Sequence, residues 1–158
     1  MRVKNSYFWL VAIAGVILDQ LTKFWTVQTL PLNQGGIEVI PNVLYFFHTT
    51  NTGAAWSLFS ENGGWLRWLS LLVSLVLIGL GLFARWPDRW EEVGYGFILS
   101  GAFGNGIDRF LTGEVVDFLQ VFPATRFPVF NLADVWINIG FICLVKVLLF
   151  EQPSTPKK

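Results

Sequence analysis

Four stretches of the 158-residue chain, at about 7–27, 65–83, 93–110 and 129–150, are long and apolar enough to cross a bilayer, for which roughly twenty residues suffice. Hydrocarbon offers no partner to a bare peptide group, so such stretches fold as helices. Composition agrees, with 53% of residues hydrophobic and 14% charged, where soluble domains carry about a quarter charged. The expected fold is a mainly α membrane protein, one integral domain over residues 1–158 with four transmembrane helices.

Arg2 and Lys4 before the first apolar run imitate a signal peptide, but no small-residue cleavage site follows. The run continues through Asp19-Gln20-Leu21-Thr22-Lys23 into Phe24-Trp25. Arg2 and Lys4, Arg85 and Arg89, and Lys157 and Lys158 place both termini in the cytoplasm by the positive-inside bias, with Arg67, Arg109 and Arg126 in dissent. The connections 28–64 and 111–128 then face outward. Trp25 and Trp65 fall at the outer boundary and Trp86 and Trp90 at the inner one, where indoles are favoured. Within the first connection Ile37 and Val39 alternate with polar neighbours, Pro41-Asn42 signals a turn, and Val43 to Phe47 is apolar throughout. A small extracytoplasmic β-sheet between spans one and two is expected, resting on the membrane with Val43 to Phe47 packed on both faces.

Eleven basic and eleven acidic residues balance, so no polyelectrolyte attraction draws the chain to nucleic acid. Cys143 stands alone, which excludes a disulfide framework or a thiolate cluster. One histidine, His48, reads as a surface or interface residue rather than a metal ligand. Neither metal nor cofactor is expected.

Asp117 in Val115-Val116-Asp117-Phe118 and Asp134 in Phe130-Asn131-Leu132-Ala133-Asp134 border strongly apolar stretches. An ionisable side chain retained beside hydrocarbon marks a functional site. Other polar residues gather in groups. Asp19 and Lys23 are four apart and can neutralise each other on one helix face. Asn105 and Arg109 share a face at the end of span three, and Asn131, Asp134 and Asn138 form a stripe on span four. Three such clusters at one outer depth, beside a loop bearing Asp117, point to a water-accessible pocket. Gly94, Gly96, Gly101 and Gly104 let span three approach its neighbours. Asn51-Thr52-Gly53-Ala54-Ala55-Trp56-Ser57 reads as a turn, or as small-residue backbone that can lie along an extended peptide.

In order along nearly the whole chain, Asp19-Gln20-Leu21-Thr22-Lys23, Asn51-Thr52-Gly53-Ala54-Ala55, Gly104-Asn105-Gly106-Ile107-Asp108-Arg109, Val115-Val116-Asp117-Phe118 and Phe130-Asn131-Leu132-Ala133-Asp134 resemble the motifs of lipoprotein signal peptidase, the type II signal peptidase of bacteria. The resemblance implies an intramembrane aspartic protease of the bacterial inner membrane with its active site near the outer face, and a monomer is the expected state. Its partners would be membrane lipids and prolipoprotein signal peptides, cut just before a diacylglyceryl-modified cysteine. Asp117 and Asp134 would be the catalytic pair. Asn51, Gly53, Asn105, Arg109 and Asn131 would line the substrate site, with Asp19 and Lys23 structural beside it.

Two adjacent carboxyl groups cannot both ionise cheaply, so they share a proton and supply one base and one acid at neutral pH. Three rival readings use the same residues differently. A Ser–Lys hydrolase would pair Ser57 with Lys23, but Asp19 keeps that lysine a poor base. A proton-coupled carrier would relay through Asp19, Asp108 and Asp134, yet no inverted repeat or broken helix pair is visible. In a purely structural scaffold the polar clusters would be glue between helices.

Overall fold

A computed structural model describes residues 4–53, 60–125 and 127–150. The order of elements is α1 (Ser6–Thr29), β1 (Ile37–Ile40), β2 (Leu44–Asn51), a short 3-10 helix (Ser60–Trp65), α2 (Leu66–Phe83), α3 (Arg89–Leu111), β3 (Val115–Val121) and α4 (Leu132–Phe150).

The helices are apolar outside and partly polar inside. On α1 the buried residues Phe8, Ala12, Gly15, Asp19, Lys23 and Thr26 recur every three or four positions, so they form one stripe. Leu10, Ile13, Leu21 and Phe24 on its other faces are each more than half exposed. Water would penalise that arrangement, whereas hydrocarbon rewards it. Among the described residues three helices, Ser6–Thr29, Gly63–Phe83 and Leu132–Phe150, are long and apolar enough to cross a membrane.

The expected third span differs. Its helix, α3, begins at Arg89 rather than Val93, because the Asp88 side chain caps it by accepting the Trp90 N–H. The first turn therefore takes in Glu91 and Glu92, and the last holds Asp108 and Arg109. These charges leave α3 outside the set of helices that apolarity alone marks as spanning. It is nonetheless the hub, since α1, α2 and α4 all pack against it. Small residues make this approach possible. A Cβ on Gly96 would lie 2.7 Å from the Phe8 carbonyl, and one on Gly101 would collide with the Ala133 carbonyl.

The ends of α1 and α2 are tied by polar contacts. Asn5 Nδ2 donates to the carbonyls of Gly81 and Ala84 at 2.9 and 3.0 Å, and Lys4 Nζ to that of Phe83 at 2.8 Å. They satisfy carbonyls that the end of α2 leaves open.

The sheet is antiparallel in the order β1-β2-β3. The first connection supplies two strands as expected, and the third is a correction, because β3 comes from the connection between α3 and α4. Leu44 pairs with Val121 and Asn51 with Val115, so one end of the sheet is brought to the end of α3. Val43 is exposed and Leu44 to Phe47 are half-buried, so this run is not packed on both faces. Span four also starts late. Phe130 is extended and exchanges backbone bonds of 2.7 and 3.0 Å with Leu119, leaving α4 to begin at Leu132.

Candidate functional site

Asn131, immediately before α4, organises the site. Its Oδ1 accepts the Asp134 N–H at 3.0 Å, and Oδ2 of Asp134 accepts the Asn131 N–H at 3.2 Å. This reciprocal cap settles two amides that the helix start would otherwise orphan, and it turns the Asp134 carboxylate back over the helix end. The other side of the same amide faces β3, where Asn131 Nδ2 donates to Asp117 Oδ1 at 2.6 Å. One fully buried asparagine thus bridges the two aspartates.

Asp117 sits at the sheet's inner end and is 3% exposed. Its Oδ2 accepts from Asn51 Nδ2 at 3.3 Å. Burial, followed by the charge of Asp134, pushes its carboxyl up to about 7, against the opposing bonds from Asn131 and Asn51. A carboxylic acid poised near neutrality beside a second carboxylate is the electrostatic pattern of a shared-proton pair.

Asn51 Oδ1 accepts the Gly53 N–H at 2.9 Å, and the Gly53 carbonyl accepts from Arg109 Nη2 at 3.0 Å. Arg109 Nη1 reaches Ser70 Oγ on α2 at 3.3 Å, and its guanidinium interacts electrostatically with Asp134, Asp117 and Asp108. Asn51, Gly53 and Arg109 are therefore linked in one chain of contacts around the aspartates.

Beneath the pair lies a buried ionic knot. Lys23 Nζ is 3.0 Å from Asp19 Oδ2, 2.9 Å from Asp108 Oδ2 and 2.9 Å from Asn105 Oδ1. Asn105 Nδ2 in turn donates to Asp134 Oδ1 at 2.9 Å. Asp19 Oδ1 accepts the Ala133 N–H at 2.9 Å, a carboxylate from α1 seated on the first turn of α4. With its three donors occupied, Lys23 has no role as a free base for a Ser–Lys reaction.

The structure brings together Asp19, Lys23, Asn51, Gly53, Asn105, Arg109, Asp117, Asn131 and Asp134. Asn138 stays apart, exposed and bonded to the Asp134 carbonyl at 2.8 Å, because seven positions from Asn131 it has moved up the helix away from the site. Ala54, Ala55, Trp56, Ser57 and Arg126 lie outside the described residues. His48 is buried, with Nδ1 2.9 Å from the Leu30 carbonyl. The sequence places Asp108 in a motif and in the carrier relay, but gives it no part in the peptidase site. It holds Lys23, accepts from Gln20 Nε2 at 3.0 Å, and receives the Val116 N–H at 3.2 Å. Its position four residues from Gly104 and three from Asn105, on the buried face of one helix, was the available signal.

The family described as signal peptidase (SPase) II, Peptidase_A8, matches residues 11–150. The lipoprotein signal peptidase of Microcystis aeruginosa (strain NIES-843 / IAM M-2473) is 58% identical over 145 residues, covering 92% of this chain and 93% of that protein. That of Nostoc sp. (strain PCC 7120 / SAG 25.82 / UTEX 2576) is 53% identical over 155 residues, covering 98% and 97%. A solved bacterial membrane enzyme, determined by the in meso method at 2.3 Å, aligns with a TM-score of 0.80 at 32% identity, covering 94% of this chain and 93% of its own.

Proposed function

The chain belongs to the signal peptidase II family, the lipoprotein signal peptidases, and from that premise we propose that it is an intramembrane aspartic endopeptidase in which Asp117 and Asp134 are the catalytic pair. Its substrates are prolipoproteins carrying a diacylglyceryl-modified cysteine, and the cut falls just before that cysteine. The observation that carries this reading is Asn131, whose side chain donates to the Asp117 carboxyl while its backbone N–H donates to that of Asp134.

In the reaction a water held between the carboxyls attacks the scissile carbonyl. The ionised aspartate takes a proton from that water as the C–O bond forms, and the protonated one donates to the carbonyl oxygen. The tetrahedral diol collapses with cleavage of the C–N bond. The leaving amine receives the proton held by the first aspartate, and the second recovers its own from the diol hydroxyl. Arg109, Asn51 and the Gly53 backbone flank the pair and satisfy polar backbone of the extended peptide that hydrocarbon would leave unpaired.

All four helices cross the membrane in this reading, with α3 shielded by the other three, both termini in the cytoplasm and the sheet outside. A lipidated substrate keeps its acyl chains in the outer leaflet and its signal helix across the bilayer. The scissile bond then lies at the outer rim, at the depth of the aspartates. The enzyme works as a monomeric single domain, without metal or cofactor.

The test is incubation of the purified protein with a diacylated and a non-lipidated precursor, followed by mass. Release of the signal peptide from the lipidated form alone is expected, with loss of cleavage in Asp117→Asn and in Asp134→Asn. Cleavage retained in either variant removes the dyad.

A further inference from the structure

The peptidase reading leaves Lys23 unused in the chemistry. We propose that Lys23, clamped between Asp19 and Asp108, is a positioning residue for the catalytic pair: through Asn105 it aims an N–H at Asp134 and so makes Asp134 the anionic, water-activating member. The proposal rests on the peptidase reading of the site and deepens it.

An ammonium group has three N–H bonds and no acceptor, and Lys23 directs one of them at Asn105 Oδ1 at 2.9 Å. A second donor, Asn131 Nδ2, meets the same atom at 3.1 Å. Its own orientation is fixed, because Asn131 Oδ1 accepts the Asp134 N–H. Two donors on one atom of the Asn105 amide require that atom to be oxygen. The amide nitrogen is then forced toward Asp134 Oδ1, which it reaches at 2.9 Å. With Lys23 replaced by an apolar side chain, only Asn131 would oppose a flip that sets the Asn105 oxygen against a carboxylate oxygen.

Asp134 thereby accepts N–H bonds on both oxygens, the second from the Asn131 backbone, and it lies in the first turn of α4 where the helix dipole favours negative charge. Asp117 has the opposite surroundings. It lies at the buried end of a strand, and desolvation and its neighbour's charge push its carboxyl up to about 7. Asp117 is therefore the proton donor to the carbonyl oxygen. The knot reaches this side as well, because Asp108 Oδ2 binds Lys23 and accepts the N–H of Val116, the residue before Asp117.

The test compares purified full-length wild type, Lys23→Met, Lys23→Arg, Asn105→Ala and the Lys23→Met/Asn105→Ala double variant on a diacylated precursor. Lys23→Met and Asn105→Ala are each expected to lower kcat about 10- to 100-fold, the loss expected for a hydrogen bond to a charged group. KM should hold in both, the double variant should be no worse than the poorer single one, and Lys23→Arg should recover part of the rate. Additive losses in the double variant, or losses in KM alone, overturn the proposal. Should Lys23→Met fail to fold, Asn105→Ala decides alone, since it leaves Lys23 with both carboxylates, and an undiminished kcat there overturns the proposal. A wild type that does not cleave, or an Asp117→Asn variant that does, refutes the peptidase site itself, an outcome distinct from cleavage that ignores Lys23 and Asn105.

Discussion

The Asp19 carboxylate on α1 accepts the backbone N–H of Ala133, 114 residues away, at 2.9 Å. The contact joins the first helix to the last at the point where the latter presents its open amides. Asp19 is fully buried and also pairs with Lys23. Removing it strips the start of α4 of an anion and leaves Lys23 with one carboxylate, Asp108, beside the Asn105 carbonyl oxygen. Asp19→Ala is expected to lower stability in detergent by about 3 kcal/mol. Asp19→Asn, which keeps an acceptor for Ala133, should lose less. Denaturation curves of the two variants check this, and equal losses would refute the capping role.

Glycines on these helices divide into those that make room and those that do not. A Cβ on Gly101 would meet the Ala133 carbonyl and lie 2.5 Å from Ile137 Cγ1, whereas one on Gly79 has nothing within 4 Å. Gly101→Ala should destabilise by about 1–3 kcal/mol through forced separation of α3 and α4. Gly79→Ala should be stabilising by about 0.5–1 kcal/mol, since alanine is the better helix former. Melting temperatures moving in opposite directions would support the contact, and a common direction would refute it.

The contrast between these glycines marks what the sequence disclosed. Periodicity and apolar length predict four helices within a few residues of those observed, because both are local properties. Asn131 shows where that reasoning stops. Read as part of an apolar span from Val129, it instead ends an extended segment and caps α4, a role fixed by its bonds to Asp134. Likewise Val115–Val121 reads as an outer loop carrying an aspartate, and becomes a strand only because β2, some seventy residues earlier in the chain, lies alongside it. Asp108 falls inside a recognisable motif, yet its contacts with Lys23 and Val116 depend on two other elements. Pairings between distant segments leave no local trace in spacing or composition.

Asp117 makes stability depend on pH. Its carboxyl rises from an unfolded value of 3.8 to about 7 in the folded protein, so between those values the native state holds a proton that the unfolded chain has released. The associated stability is intact below 3.8 and is lost as pH climbs through about 7. Asp117→Asn cannot ionise and should lack this loss. The difference in melting temperature between variant and wild type should widen in the variant's favour from acid to neutral pH and level off above. A difference that does not change with pH would show that Asp117 is not desolvated.

Asn131 allows stability and activity to be separated. As a cap it supplies only an acceptor for the Asp134 N–H, a task that serine performs about as well. As a bridge it supplies the N–H that reaches Asp117 Oδ1 at 2.6 Å, which serine at this position is too short to replace. Asn131→Ala should lose both roles, with about 0.5–2 kcal/mol of the stability loss due to the missing cap. Asn131→Ser should recover most of that stability while cleavage of a lipidated precursor stays about 10- to 100-fold below wild type, as loss of a hydrogen bond to one of the two carboxyls implies. Parallel melting curves and single-turnover rates distinguish the two effects, and a serine variant that regains activity along with stability would mean that the amide is a helix cap and nothing more.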